Sequence, residues 1–252
     1  VPVNKWVTNN TKYISASTDA ARYLYSAKDI LWSYTDSVKK LDIIRQGKPL
    51  TLTIHLQSQY IPTKNKEQDV TWRKLSSQIG YIDVRSMVEG VDKQFSEALK
   101  SLNNLPYLIV DIRENTGGNS SVGDFIAQHL IKGERTIWNG TKLSPSADAY
   151  KGKVIVLEGP VTASAAESFL ITMKESGDAI VVGTPSAGDT GGNPRLFKTT
   201  YGMYYWIPIG HPFKYSPKGF PLEGKGIKPH YLVPMKVNDF LLGKDTQLSY
   251  AE

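Results

Sequence analysis

Lys153-Val-Ile-Val-Leu157, followed closely by Gly159-Pro-Val-Thr-Ala-Ser-Ala-Ala-Glu167, decides the fold. The apolar, β-branched run reads as a buried strand, and the residues after Ser164 read as a helix. Ser164 therefore stands at a strand-to-helix turn, an exposed and rigid corner. The helix behind it supplies unpaired backbone N–H groups and a positive dipole end. That geometry suits a nucleophile and half of an oxyanion hole. Small residues on both sides let a substrate backbone come close. A serine ahead of a helix is by itself an ordinary N-cap, so the neighbouring motifs have to separate the two readings.

Working outward, Tyr107-Leu-Ile-Val-Asp111 runs into Ile112-Arg-Glu-Asn-Thr-Gly-Gly118. An apolar run ending in a polar, glycine-paired loop is a buried strand delivering a loop at its C-terminal end. Paired glycines permit positive φ and a close approach of backbone to ligand. Ile79-Gly-Tyr-Ile-Asp-Val84 lies before these segments and Glu223-Gly-Lys-Gly-Ile-Lys-Pro229 after them. Between the strands, Val91, Phe95, Ala98, Leu99 and Leu102 form one helical stripe, and Val122, Phe125, Ile126 and Leu130 another. With further strands at Val154–Leu157 and Ala179–Val182, the alternation predicts an α/β layered sheet. Gly202-Met-Tyr-Tyr-Trp-Ile-Pro-Ile-Gly210 reads as an aromatic β-ribbon at a cleft, and Asp239–Leu248 as short helical pieces packed on the body.

The ordered set Gly80-Tyr-Ile82, Asp111–Gly118, Thr162–Glu167, Val182–Gly188 and Gly226-Ile-Lys-Pro229 resembles the C-terminal processing (tail-specific) serine proteases. The resemblance covers roughly residues 75 to 235. It implies a ClpP/crotonase-like α/β superhelix core over residues 77–252 and a serine-type peptidase acting on unstructured or C-terminal protein segments. It also implies Ser164 as nucleophile, and oxyanion donors at the Ala165 N–H and at Gly117 or Gly118. Residues 1–60 are expected to be a partial or diverged PDZ-like segment. There Thr18–Leu31 predicts a helix, and Val38–Arg45 and Pro49–Leu56 predict a hairpin around Gln46-Gly-Lys48. Residues 61–76 are polar and turn-rich, and read as a linker.

The base departs from one branch of that family. Members with a Ser-Lys dyad carry the lysine where this chain has Asp189, and an aspartate cannot serve as a neutral amine. Lys198 has no motif support. The resemblance is closer to the tricorn-like Ser-His-Glu branch, in which Glu223 takes the place of the glutamate; the plain alternative is a surface carboxylate beside Lys225. The histidine of that branch sits in an N-terminal segment not found in this sequence. Of the four histidines, His55 is expected to face solvent and His129 to be structural. His230 replaces an aspartate of the closing motif, and His211 is the best internal candidate. The chain begins Val-Pro-Val-Asn. It is therefore expected to be the body of a longer precursor whose upstream portion donates the base.

Composition sets outer bounds. At 252 residues with 40% hydrophobic residues the chain can bury a core. No apolar run reaches the length of a membrane span. Without cysteine there is no disulfide, no thiolate metal site and no cysteine nucleophile. No metal cluster and no cofactor are expected. The formal charge of +6 is scattered, which favours a solvated surface over nucleic-acid binding. The expected partner is a protein or peptide substrate, and the resemblance points to a bacterial periplasm or cell envelope. Two other readings share the fold. One is a non-catalytic binder of peptides or apolar ligands, similar to the retinoid-binding proteins, with Tyr201, Tyr204, Tyr205, Trp206 and Phe213 lining a pocket. The other is a crotonase-like acyl-CoA enzyme, which the serine turn and the absence of a nucleotide site disfavour.

Overall fold

The structure, a computed structural model, describes every residue except Val1, Tyr34, 58–67, Asn193 and 211–213. The chain divides into two compact units. One comprises Val1–Ser15 with Arg22–Glu67, and the other Ala16–Ala21 with Gln68–Glu252.

In the first unit, helix α1 spans Val3–Asn10, and α2, Asp19–Lys28, which belongs to this unit from Arg22 on, carries on in a 3-10 turn to Leu31. The Ser26 hydroxyl donates to the Val7 carbonyl at 2.8 Å and joins the two helices. Strands β1, Val38–Arg45, and β2, Lys48–His55, form an antiparallel hairpin. Its two-residue loop holds Gln46 and Gly47 at φ 52° and 75°, as a twist-matched tight turn demands. His55 is exposed, as its alternation with Thr51 and Thr53 predicts.

The second unit is built on a six-stranded sheet. Its strands are β3 (Val70–Lys74), β4 (Ile79–Val84), β5 (Tyr107–Asp111), β8 (Lys153–Glu158), β9 (Ala179–Gly183) and β12 (Tyr231–Leu232), in the order β12-β9-β8-β5-β4-β3. All neighbours pair parallel except the edge strand β3, which is antiparallel to β4. The short pairs β6–β7 (Arg135–Thr136, Lys142–Leu143) and β10–β11 (Pro194–Lys198, Tyr204–Pro208) stand apart from it. Strand β3 lies inside the stretch read as linker. As an edge strand it buries only Val70, so its composition stays polar and its sequence carries no apolar run.

Side chains alternate across the sheet. Leu108, Val110, Val154, Val156 and Val181 share one core with α3 (Val91–Leu102), α4 (Ser120–Gln128) and α5 (Ala165–Ser176). Tyr81, Ile109, Leu157 and Val182 form a second core with Val233, against which Leu248 and Ala251 of α7 (Thr246–Ala251) pack. A parallel sheet covered on both faces explains the near-continuous apolar strands. It also brings the loops after β5, β8 and β9 to one end, because the three strands run in register with Asp111 beside Leu157 and Leu157 beside Val182. A short helix α6, Val237–Leu241, precedes α7. No helix among the described residues is long and apolar enough to cross a membrane.

Candidate active site

Ser164 is the N-cap of α5 and has φ 54°, ψ −121°. Only it and Gln46 combine a side chain with positive φ among the described residues. Such a conformation is held by its surroundings, and the surroundings are visible. The Ser164 N–H donates to the Asp189 carbonyl at 2.9 Å, and the Ala163 N–H to the Asn115 carbonyl at 3.1 Å. The Thr162 hydroxyl donates to the Ile112 carbonyl at 2.8 Å, while the Thr162 carbonyl accepts the Ala187 N–H at 2.8 Å. The Ser164 turn is thus stitched to the loop after β5 on one side and to the loop after β9 on the other.

The paired glycines lie directly against this turn. Gly117, at φ 98°, leaves no room for a side chain, since a Cβ would fall 2.7 Å from the Ala163 carbonyl oxygen and 2.9 Å from the Ala165 nitrogen. Gly118, at φ 140°, would place a Cβ 2.5 Å from the Met87 carbonyl oxygen. Buried Asn115 fixes the loop: its amide donates to the Val84 carbonyl and its oxygen accepts the Gly117 N–H, both at 2.9 Å. The Gly117 amide is therefore already spent. Those of Gly118 and Ala165 have no acceptor among the described residues.

Glu167, one helical turn after Ser164, is fully buried. Its carboxylate accepts the Ser186 hydroxyl at 2.6 Å and the N–H groups of Gly188, Asp189 and Ser164 at 2.8, 3.0 and 3.2 Å. The Ser186 oxygen in turn accepts the Ile227 N–H at 2.7 Å. Burial pushes this carboxyl up to about 7, against the pull of its four donors. In sequence Glu167 is the last residue of the Thr162–Glu167 motif and carries no expected role. Its i+3 spacing from the serine, a capping-box pattern, was the available signal.

Glu223 sits on the far side of the same loop. It accepts both the N–H and the hydroxyl of Thr190, and its other oxygen lies 3.5 Å from the Ser17 hydroxyl. Burial and the Glu223 charge raise the neighbouring Asp189 carboxyl. Among the described residues no side chain accepts the Ser164 hydroxyl proton. His129 is structural, with Nδ1 2.8 Å from the Phe125 carbonyl. His230 Nδ1 accepts the Val181 N–H at 2.9 Å. His211, with Pro212 and Phe213, lies outside the described residues. Three or more metal-ligating side chains do not gather anywhere among the described residues.

A second network anchors the glycine loop. The Arg113 guanidinium is bonded to Asp111 at 2.6 Å, to Asp245 at 2.6 Å and to Gln247 at 3.0 Å, and the Tyr81 hydroxyl donates to Asp111 at 2.7 Å. Burial alone would lower its pKa; the bonds to Asp111 and Asp245 outweigh this and keep it charged. The C-terminal helix, assigned no chemistry from sequence, therefore braces the strand end that leads to Gly117.

Residues 78–233 match the family model for peptidase family S41, and residues 1–56 match the model of an S41 N-terminal domain from Bacteroidetes. The chain is 26% identical over 258 residues to a carboxyl-terminal-processing protease of Picosynechococcus, covering 96% of this chain and 58% of that protein. It is 27% identical over 176 residues to the tricorn protease of Thermoplasma acidophilum, covering 69% of this chain and 16% of that one. It thus spans less than two thirds of either relative. The solved structure of mature CPAF complexed with lactacystin shares the fold at a TM-score of 0.71 and 14% identity, over 92% of this chain and 71% of that one. With the match running from the start of β4 through β12 and so taking in Ser164 and the loops around it, the chain belongs to peptidase family S41.

Proposed function

We propose that this chain carries the nucleophile and oxyanion hole of a serine endopeptidase acting on unstructured or C-terminal protein segments. The observation that carries the reading is the pair of unspent amides, Ala165 and Gly118, flanking a strained Ser164 against which Gly117 packs. In the reaction the Ser164 oxygen attacks the scissile carbonyl carbon and its proton passes to a base. The carbonyl oxygen becomes an oxyanion held by the two N–H groups. The base then returns the proton to the leaving amine, and water hydrolyses the acyl-enzyme. Gly117 has a steric part: its missing side chain lets the loop and the helix start meet.

The proton acceptor belongs to the Ser-His-Glu arrangement, with Glu223 orienting an imidazole that lies outside the described residues. Asp189 in the place of the dyad lysine supports this over a Ser-Lys pair. An imidazole base gives kcat/KM an acid limb near about 6.5; a limb only at alkaline pH would point to an amine instead. Placement outside the cytoplasm rests on the family resemblance, and fractionating the native host into cytoplasm and envelope tests it.

A fluorophosphonate probe tests the nucleophile directly. It should label the wild-type chain at Ser164 and leave Ser164→Ala untouched. A pure binder on this fold has no reason to react, so absence of labelling in this chain and in the longer precursor alike would remove the peptidase reading.

A further inference from the structure

From Thr190 to Leu222 the sequence contains no aspartate or glutamate, while it carries Arg195, Lys198, Lys214 and Lys218. Within it, β10 and β11 pair only with each other, so each strand keeps an open outer edge among the described residues. Every residue of β11 is exposed, with Trp206 at 65% and Tyr204 at 61%. The register sets Leu196 opposite Trp206 and Phe197 opposite Tyr205, so apolar side chains cover both faces of the ribbon. Cross-strand contacts stiffen it: the Phe197 and Tyr205 rings stack at 5.6 Å, and the Lys198 ammonium lies 5.3 Å from the Tyr204 ring centre. An isolated two-stranded ribbon with this much exposed aromatic surface is a binding element in want of an occupant.

Its position names the occupant. The Gly210 N–H donates to the Gly192 carbonyl at 2.9 Å, and Gly191 packs so closely on the Pro208 ring that a Cβ there would fall 2.8 Å from it. The ribbon base is thus fastened two and three residues beyond Asp189, whose carbonyl holds Ser164. We propose that the β10–β11 ribbon docks an extended polypeptide rich in acidic and apolar side chains and leads it to Ser164; this rests on the peptidase reading. Strand addition along an open edge supplies main-chain hydrogen bonds, while the aromatics and the positive charge of Arg195 and Lys198 on β10 select side chains. A lipid surface would call for one apolar face, and this ribbon has two. A second copy of the ribbon would set Arg195 and Lys198 against like charge.

The test separates docking from cleavage. The full chain with Ser164→Ala is titrated against a fluorescein-labelled acidic, leucine-rich peptide of about 12 residues, long enough to run along a five-residue strand and beyond. Fluorescence anisotropy should show Kd rising about tenfold or more in Arg195→Glu/Lys198→Glu, and likewise in Tyr204→Ser/Trp206→Ser. The same peptide with lysine in place of glutamate should bind the parent chain at least about tenfold more weakly. Equal affinity across all variants and both peptides overturns the proposal. So does a result in which the variants lose only co-sedimentation with phosphatidylglycerol vesicles, or only self-association by ultracentrifugation. If Ser164 resists the fluorophosphonate yet the peptide binds as expected, the docking surface stands and the peptidase reading falls.

Discussion

The Cα of Gly117 lies so close to Ser164 that a methyl group on it would stand 2.7 Å from the serine Cβ. Gly117→Ala must therefore displace either the glycine loop or the Ser164 turn, and it also forces a side chain to adopt φ 98°. The expected outcome is loss of fluorophosphonate labelling at Ser164 with a stability loss of about 1–3 kcal/mol. Labelling at the wild-type rate would show that the two groups do not work together.

Glu167→Gln keeps the volume and places an amide N–H₂ among four donors. Expected effects at pH 5 are a lower thermal midpoint and a stability loss of about 3 kcal/mol, with a fall in kcat/KM of at least about tenfold, since the Ser164 N–H and the 186–189 loop lose a common acceptor. Differential scanning calorimetry and peptide hydrolysis read the two effects separately.

The same carboxyl sets a pH dependence. Its ordinary value of 4.5 rises to about 7 in the folded chain. The folded state therefore holds the proton more tightly than the unfolded state does. The associated stability is complete below 4.5, drains away as pH climbs, and is gone once pH passes about 7, a swing of about 3 kcal/mol. Urea unfolding at pH 5 and pH 8 should give a difference that shrinks by that amount in Glu167→Gln. An identical difference in both proteins would contradict it.

Glu158, at the end of β8, is buried with both carboxyl oxygens unpartnered among the described residues, and burial together with Glu167 raises its pKa against the pull of Lys174. A raised folded pKa again means stability lost as pH rises above 4.5. Glu158→Met removes that loss and should stabilise the chain at pH 8 by about 1–3 kcal/mol, with a smaller gain at pH 5. A destabilised variant would reveal a partner for this group.

Arg113→Met strips Asp111 and Asp245 of their shared guanidinium. Leaving the nearly buried Asp111 uncompensated should cost about 3 kcal/mol or more. Hydrogen exchange should accelerate across Thr246–Ala251, because the Asp245–Arg113 bond ties that helix to the strand end.

The parallel sheet and the three loops at its end were legible because buried strands write themselves as apolar runs and the loops as glycine and small-residue motifs. Ser164, Gly117, Gly118 and Ala165, grouped in sequence only through the family resemblance, lie together in the fold, and the amide count divides the glycines into a spent one and an open one. Strand β3 escaped notice because an edge strand needs only one buried side chain. Glu167 escaped because its work is to accept bonds from residues about twenty positions away, a relation no local pattern encodes. The Arg113–Asp245 contact spans still more chain and depends on β5 and α7 already being in place.

One buried carboxylate gathers the helix start, the stretch after β9 and, through Ser186, the segment ending at Ile227. None of these can take its final position alone. The proposed reactivity of Ser164 therefore depends on three distant stretches of chain being in place together, and a change in any one of them should be felt at the serine.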